Sequence, residues 1–140
     1  MAPPSDHPCL HIKCLDGAFF VAKLQPSELG SLFESVQAKD DGESFLSITR
    51  TDDELSVVGK LQEGTPARFR QFATWKAFKI AGPMEFELTG VLAGFVHPLG
   101  KAGVPVFALS TYNTDFILVP VEKYEEARKV LKDDNWIFVE

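Results

Sequence analysis

An internal repeat constrains the fold of this chain more than any other feature of its sequence. Sliding the sequence along itself by 61 residues lays residues 48–58 over residues 109–119 without a gap. Both segments predict a strand, a hydroxyl-rich turn, an acidic residue and a second strand. In each copy a predicted helix precedes the hairpin, and a predicted strand precedes that helix. Duplication explains this shared order most simply, so we expect two related modules.

The individual elements follow from the spacing of apolar residues. Alternation predicts strands, turn residues predict hairpins, and apolar positions three and four residues apart predict amphipathic helices. Residues 60–73 are compatible with a linker or with a short helix opened by Pro66, and we favour one or two helical turns. Pro98 interrupts the helix over 90–102. The predicted order is a hairpin at 10–24, a helix starting at Ser27, a hairpin at 44–60, a strand at 74–80, a helix at 90–102, a hairpin at 104–119, a helix at 122–131 and a strand at 136–139.

This order of elements predicts an α+β fold. The second copy reads strand, helix, strand, strand, helix, strand, in which two helices cover one face of a four-stranded antiparallel sheet. We therefore predict two ferredoxin-like βαββαβ modules, with antiparallel sheets and helices on one face. We expect residues 1–9 to form a flexible tail, residues 10–73 a degenerate N-terminal module and residues 74–140 the C-terminal module.

Composition and charge limit the classes of protein to which this chain can belong and the partners that it can bind. The 140 residues are 45% hydrophobic, enough for a core without a metal or disulfide. A net charge of −6 with scattered basic residues argues against nucleic acid. No apolar run approaches the ~18 residues of a membrane span, and the N-terminus lacks the pattern of a signal peptide. We predict a cytoplasmic protein.

Residues suited to metal binding or catalysis are few. Cys9 and Cys14 lie five apart on a predicted strand, so their side chains face opposite ways, and we predict that both are reduced. His7, Cys9 and His11 share one side of that strand, but Pro8 disturbs it, so we predict no metal site. His97 has no Cys, Ser or acid nearby in the sequence. No catalytic motif such as GxSxG or HExxH appears, so we predict no catalytic residue and no cofactor.

Most of the chain resembles a known family. The resemblance covers about residues 10–139 and is densest from 75 to 120; the segment 51–58 is similar to a first-module motif of the same group. The residues that carry this resemblance are Trp75, the segment 82–93, Pro98, Leu99, the segment 102–107 and the turn 110–115. With these residues the sequence resembles ACT-domain proteins, and more narrowly the small tandem-ACT group related to lysine-sensitive aspartokinases and cytosolic arginine sensors.

The resemblance implies a regulatory module that binds an amino acid, usually where two modules meet. Backbone N–H groups at a helix start suit a carboxylate, and hydroxyls and an acid suit an ammonium. An alternative stays open, in which these residues only cap a helix and close a turn. The ligand-binding residues implied are Gly90, Val91, Ser110, Thr111, Thr114 and Asp115.

These observations predict a non-catalytic, allosteric sensor or regulatory protein. Its partners would be a small amino acid, a protein that receives the signal and a second copy of the chain in a homodimer. The alternative function is a protein-interaction module whose turn residues are structural. An enzyme is a third hypothesis, which the sequence does not support with any motif.

Overall fold

The protein has a mixed α+β fold, which confirms the predicted class. The computed structural model describes residues 8–35, 44–82 and 90–139. Within these ranges it contains eight strands and four α-helices. They are, in chain order, β1 (Ile12–Cys14), β2 (Phe19–Leu24), α1 (Leu29–Ser35), β3 (Leu46–Arg50), β4 (Leu55–Lys60), α2 (Ala67–Arg70), β5 (Trp75–Ile80), α3 (Val91–Lys101), β6 (Phe107–Ser110), β7 (Asp115–Pro120), α4 (Tyr124–Asp133) and β8 (Phe138–Val139).

The chain divides into two compact units. The smaller unit comprises residues 17–75, and the larger one combines the N-terminal residues up to 16 with residues from 76 onwards. The sequence places residues 10–16 with the N-terminal module, whereas contacts place them with the C-terminal elements. The reason is strand pairing, because β1 is hydrogen-bonded between β5 and β8.

The smaller unit is built from β2, β3, β4 and two helices. Its strands run in the order β3-β4-β2, and both pairings are antiparallel, with Leu55 facing Leu24 and Arg50. Phe20 of β2 and Phe69 of α2 stack with their ring centroids 4.9 Å apart. Leu32 of α1 is fully buried in the same cluster. The predicted helix after Ser27, the hairpin and the short second helix are therefore confirmed.

The larger unit contains a five-stranded sheet in the order β6-β7-β5-β1-β8. β1 pairs antiparallel with β5, where Ile12 faces Ile80, and parallel with β8, where Ile12 faces Phe138. The predicted four-stranded sheet thus gains a fifth strand between its first and last strands. The predicted hairpin of β1 with β2 is wrong, because β2 pairs with β4 along its whole length while β1 pairs with β5 and β8.

Two helices and alternate strand residues form the core of the larger unit. Phe95 of α3 packs edge-on against Phe78 of β5, with ring centroids 6.1 Å apart. Pro98 lies inside α3 as predicted, where it cannot donate to the Gly94 carbonyl. The strand and helix residues that share this buried cluster are Ile12, Phe78, Ile80, Val91, Phe95, Leu99, Ile117, Val119, Ala127 and Leu131.

Candidate functional site

The turn between β6 and β7 is held by its own threonine. The Thr111 N–H donates to the Thr114 carbonyl over 2.8 Å, and the Thr111 hydroxyl accepts from the Thr114 N–H at 3.4 Å. Ser110 and Asp115 face each other as the last pair of the hairpin. The structure therefore brings four of the predicted ligand residues into one turn, and it uses the Thr111 hydroxyl to close that turn.

Thr114 points into the protein, which its predicted ligand role did not anticipate. Its side chain is 3% exposed, and its hydroxyl donates to the carbonyl of Ile80, the last residue of β5, over 2.6 Å. Pairing of β7 with β5 brings these groups together. The hydroxyl therefore fixes the hairpin turn to the end of β5. The sequence of the turn alone does not show whether Thr114 faces the protein interior or the solvent.

Gly82 is a residue of this region that the sequence analysis did not single out as functional. Its φ is +61°, a conformation that side chains disfavour. A Cβ at this position would lie 3.0 Å from the Thr114 Cβ and 3.2 Å from the Asn113 carbonyl oxygen. Glycine therefore allows the chain leaving β5 to pass directly against the hairpin turn. In the sequence, Gly82 was recognisable only as part of the Ala-Gly-Pro tripeptide that ends the predicted strand at 74–80.

Asp115 is a nearly buried acid on the helix-covered face of the sheet. It is 9% exposed, and the Ser110 hydroxyl donates to its Oδ1 over 2.5 Å. Residues two apart on a strand share a face, and Ile117 and Val119 belong to the core under the helices. The carboxylate thus lies at the open end of the layer that the helices cover, held in one orientation by a neutral hydroxyl.

Gly90 and Val91 form the start of α3, as predicted. Gly90 has φ +77° and caps the helix, and its carbonyl accepts the first intrahelical bond, from the Gly94 N–H at 2.9 Å. The N–H groups of the first turn have no acceptor within the helix. The Val91 side chain is 5% exposed and packs in the core, so Val91 can offer a ligand only its backbone. Residues 83–89, which join β5 to this helix, lie outside the described residues.

The two hairpins correspond at a spacing of 60 residues rather than the predicted 61. Strand register pairs Arg50 with Leu55 and Ser110 with Asp115, and a turn bond runs from the Thr51 N–H to the Glu54 carbonyl over 2.9 Å. β4 and β7 also have the same burial pattern: in each strand the first, third, fourth and fifth of the six residues are buried and the other two are partly exposed. The first hairpin therefore places fully buried Leu55, not an acid, where the second places Asp115.

The predicted absence of a metal site stays a prediction. His7 lies outside the described residues, as does the side chain of Cys9. Within the described part of the chain, no group of three His, Cys, Asp or Glu residues is arranged to hold a metal ion. Among these described residues, every helix is too short or too polar to cross a membrane.

Comparison with protein families identifies the part of the chain that holds this turn. Residues 73–133 match the model of the ACT domain. Residues 17–67 match a second model, described only as the N-terminal domain of a family named after one of its members. The ACT match includes β5, α3, the β6–β7 hairpin and α4, and its residue range contains every predicted ligand residue.

Solved structures resemble the whole chain. Protein Atu0741 from Agobacterium tumefaciens is 34% identical, with a TM-score of 0.74, and the match covers 92% of this chain and 91% of that one. A Vibrio cholerae protein of unknown function, described as a possible transport protein, is 18% identical with a TM-score of 0.66, covering 91% and 93%. Aspartokinase alpha and beta subunits are 14% identical with a TM-score of 0.61, covering 89% and 96%. The last two show a shared fold alone. From the first match and the family model, the chain belongs to the same family as Atu0741 and contains an ACT domain at residues 73–133.

Proposed function

We propose that this protein is a non-catalytic regulatory protein that binds an amino acid in its ACT domain. The ligand site is formed by the backbone at the start of α3 and by the end of the β6–β7 hairpin. The observation that carries the proposal is the Asp115 carboxylate, which is 9% exposed and oriented by Ser110. Sequence similarity to the ACT domain supports a regulatory role that depends on a small molecule.

A cationic ligand group fits the surroundings of Asp115. Burying a carboxylate is costly unless hydrogen bonds or an opposite charge compensate it. In the described ranges no lysine, arginine or histidine forms an ion pair with Asp115, and its side chain accepts a hydrogen bond from the neutral Ser110 hydroxyl. An α-ammonium would supply the missing charge. The N–H groups and positive dipole end at the start of α3 favour the accompanying carboxylate.

The two modules of the tandem arrangement differ in function. Matching turn bonds, strand register and burial in the two hairpins support a duplication, with residues 17–73 as the first ACT-like module and residues 74–140, joined by β1, as the second. Leu55 occupies the position of Asp115 and belongs to the hydrophobic cluster of the smaller unit. We therefore assign ligand binding to the second module alone, with one amino acid bound per chain.

Regulation follows from differential binding. An amino acid that contacts both α3 and the β6–β7 hairpin favours the arrangement in which both are in place, and this alters a surface read by a protein partner or a second copy of the chain. A homodimer is part of this proposal. Light scattering with and without ligand reports whether the amino acid changes the oligomeric state.

Thermal stability in the presence of each of the twenty amino acids tests the proposal. A ligand at about 100 times its Kd stabilises the native state by about 2.7 kcal/mol, which a thermal melt detects readily. Calorimetry of any ligand found should give one site per chain. Asp115→Asn keeps the shape and can still accept from Ser110, but it should weaken binding about 10- to 100-fold, since a charge-assisted hydrogen bond contributes about 1.5 to 3 kcal/mol.

Asp52→Asn is the matched control, because Asp52 is an exposed acid in the turn of the first hairpin. This variant should bind as the wild type does. If no amino acid stabilises a folded wild-type protein, the binding proposal is wrong and the protein-interaction alternative gains support. If Asp115→Asn binds normally, the ligand lies elsewhere.

A further inference from the structure

A shallow cavity in the larger unit shares no lining residue with the β6–β7 turn. It is open to solvent, has a volume of about 400 Å³ and lies between the C-terminal ends of α3 and α4. This volume is within the range of small-molecule sites. Its lining combines apolar residues from both helices with charged residues. The lining residues are His97, Pro98, Lys101, Ala102, Val130, Asp133 and Asp134.

The charged residues of this cavity have opposite signs but do not neutralise one another. Lys101 comes from the last turn of α3, and Asp133 and Asp134 come from the end of α4. Among the residues that the structure describes, Lys101 makes no ion pair with either aspartate. An unbound cavity therefore presents a cation and two anions that remain available to a ligand carrying both charges.

The two aspartates occupy a position that disfavours them. The C-terminal end of a helix carries a negative partial charge, which destabilises nearby acids and favours bases such as Lys101. Asp133 is the last residue of α4 and Asp134 is its C-cap. Departures from local preference are expected at functional sites, where a ligand compensates them. An ammonium group between these acids would provide that compensation.

We propose that this cavity is a binding site for a small zwitterion. The ligand ammonium contacts Asp133 and Asp134, its anionic group contacts Lys101, and its carbon chain lies on Pro98, Ala102 and Val130. His97 adds a polar group on the same side as Lys101. The site is separate from Asp115, so it does not depend on the function proposed for the β6–β7 turn.

NMR titration tests this site with glycine, lysine and 4-aminobutyrate as probes at up to about 20 mM, a range suited to ligands of this size. The backbone amides of 97, 99–102 and 130–134 should shift saturably with at least one probe. Butylamine and butyrate each lack one charge and should bind at least tenfold more weakly. The same shifts should persist in Asp115→Asn, which separates this site from the hairpin site.

Three variants complete the test. The double variant Asp133→Asn with Asp134→Asn should lose the shifts yet melt at a higher temperature, because it removes unfavourable charges at a helix end. Lys101→Gln should weaken binding at least tenfold, whereas Lys129→Gln, an exposed residue that does not line the cavity, should leave it unchanged. Absence of saturable shifts with every zwitterion overturns the proposal. Equal binding of butylamine, or unchanged binding by the double variant, overturns it as well.

Discussion

Removal of the Thr114 hydroxyl should destabilise the ACT domain. Thr114→Val preserves the branched shape of the side chain but removes the donor that reaches the Ile80 carbonyl over 2.6 Å. A neutral hydrogen bond contributes about 0.5 to 1.5 kcal/mol, and a buried group that loses its partner adds about 1 to 3 kcal/mol. Because Thr114 is 3% exposed, water cannot readily replace the hydroxyl. We expect a loss of about 2 kcal/mol.

Urea unfolding followed by tryptophan fluorescence measures this loss, since Trp136 is buried in the same unit. With a urea slope of about 2 kcal/mol per molar, the midpoint should fall by about 1 M. Thr114→Ser keeps the hydroxyl and should lose less, about 0.8 kcal/mol for the missing methyl group. If Thr114→Val is as stable as the wild type, or if Thr114→Ser is equally damaged, the hydroxyl does not fix the turn to β5.

Three further predictions concern stability. Gly82→Ala should cost about 1 to 2 kcal/mol, measured by urea unfolding, because its φ of +61° disfavours a side chain; no loss would contradict the close passage against the turn. Phe69→Ala should cost about 3 to 5 kcal/mol in the same assay because this ring is 1% exposed, whereas Phe33→Ala, at a site 59% exposed, should change little; equal effects would refute the assigned core. Burial raises the pKa of Tyr124 above its ordinary value of 10.0. The unfolded chain therefore loses this proton first, and stability present below about pH 10 falls as the pH rises from there towards the folded-state pKa. Unfolding at several pH values should show a shallower fall in Tyr124→Phe but not in Tyr112→Phe, whose ring is 81% exposed; identical slopes would refute the argument.

Most helices and hairpins could be predicted because their signals are local. The apolar spacing over 90–102 gives α3 within one residue at each end, and the alternating runs on each side of the Ser110–Asp115 turn give β6 and β7. These patterns depend on which residues face one side of a single element. The predicted ligand residues of the turn were found by the same local signal together with family resemblance.

Pairing between distant strands could not be predicted in the same way. Asp16-Gly17 is a good turn signal, and it suggested that β1 and β2 pair with each other. β1 instead lies between β5 and β8, which are more than 60 residues away along the chain. A turn motif fixes only the local direction of the chain, whereas the partner of a short strand depends on which edges the rest of the fold leaves open.

The sequence by itself determined the α+β class, the elements of the ACT domain and the turn that carries Asp115, because hydrophobic period and turn chemistry are properties of neighbouring residues. Tertiary structure alone decided that Thr114 faces inward, that Gly82 lies against the turn, and that Leu55 rather than an acid matches Asp115. Those facts depend on hydrogen-bond register and on packing between distant segments. A shift of one residue reverses the face of every side chain on a strand, and an ungapped comparison of sequences does not detect it.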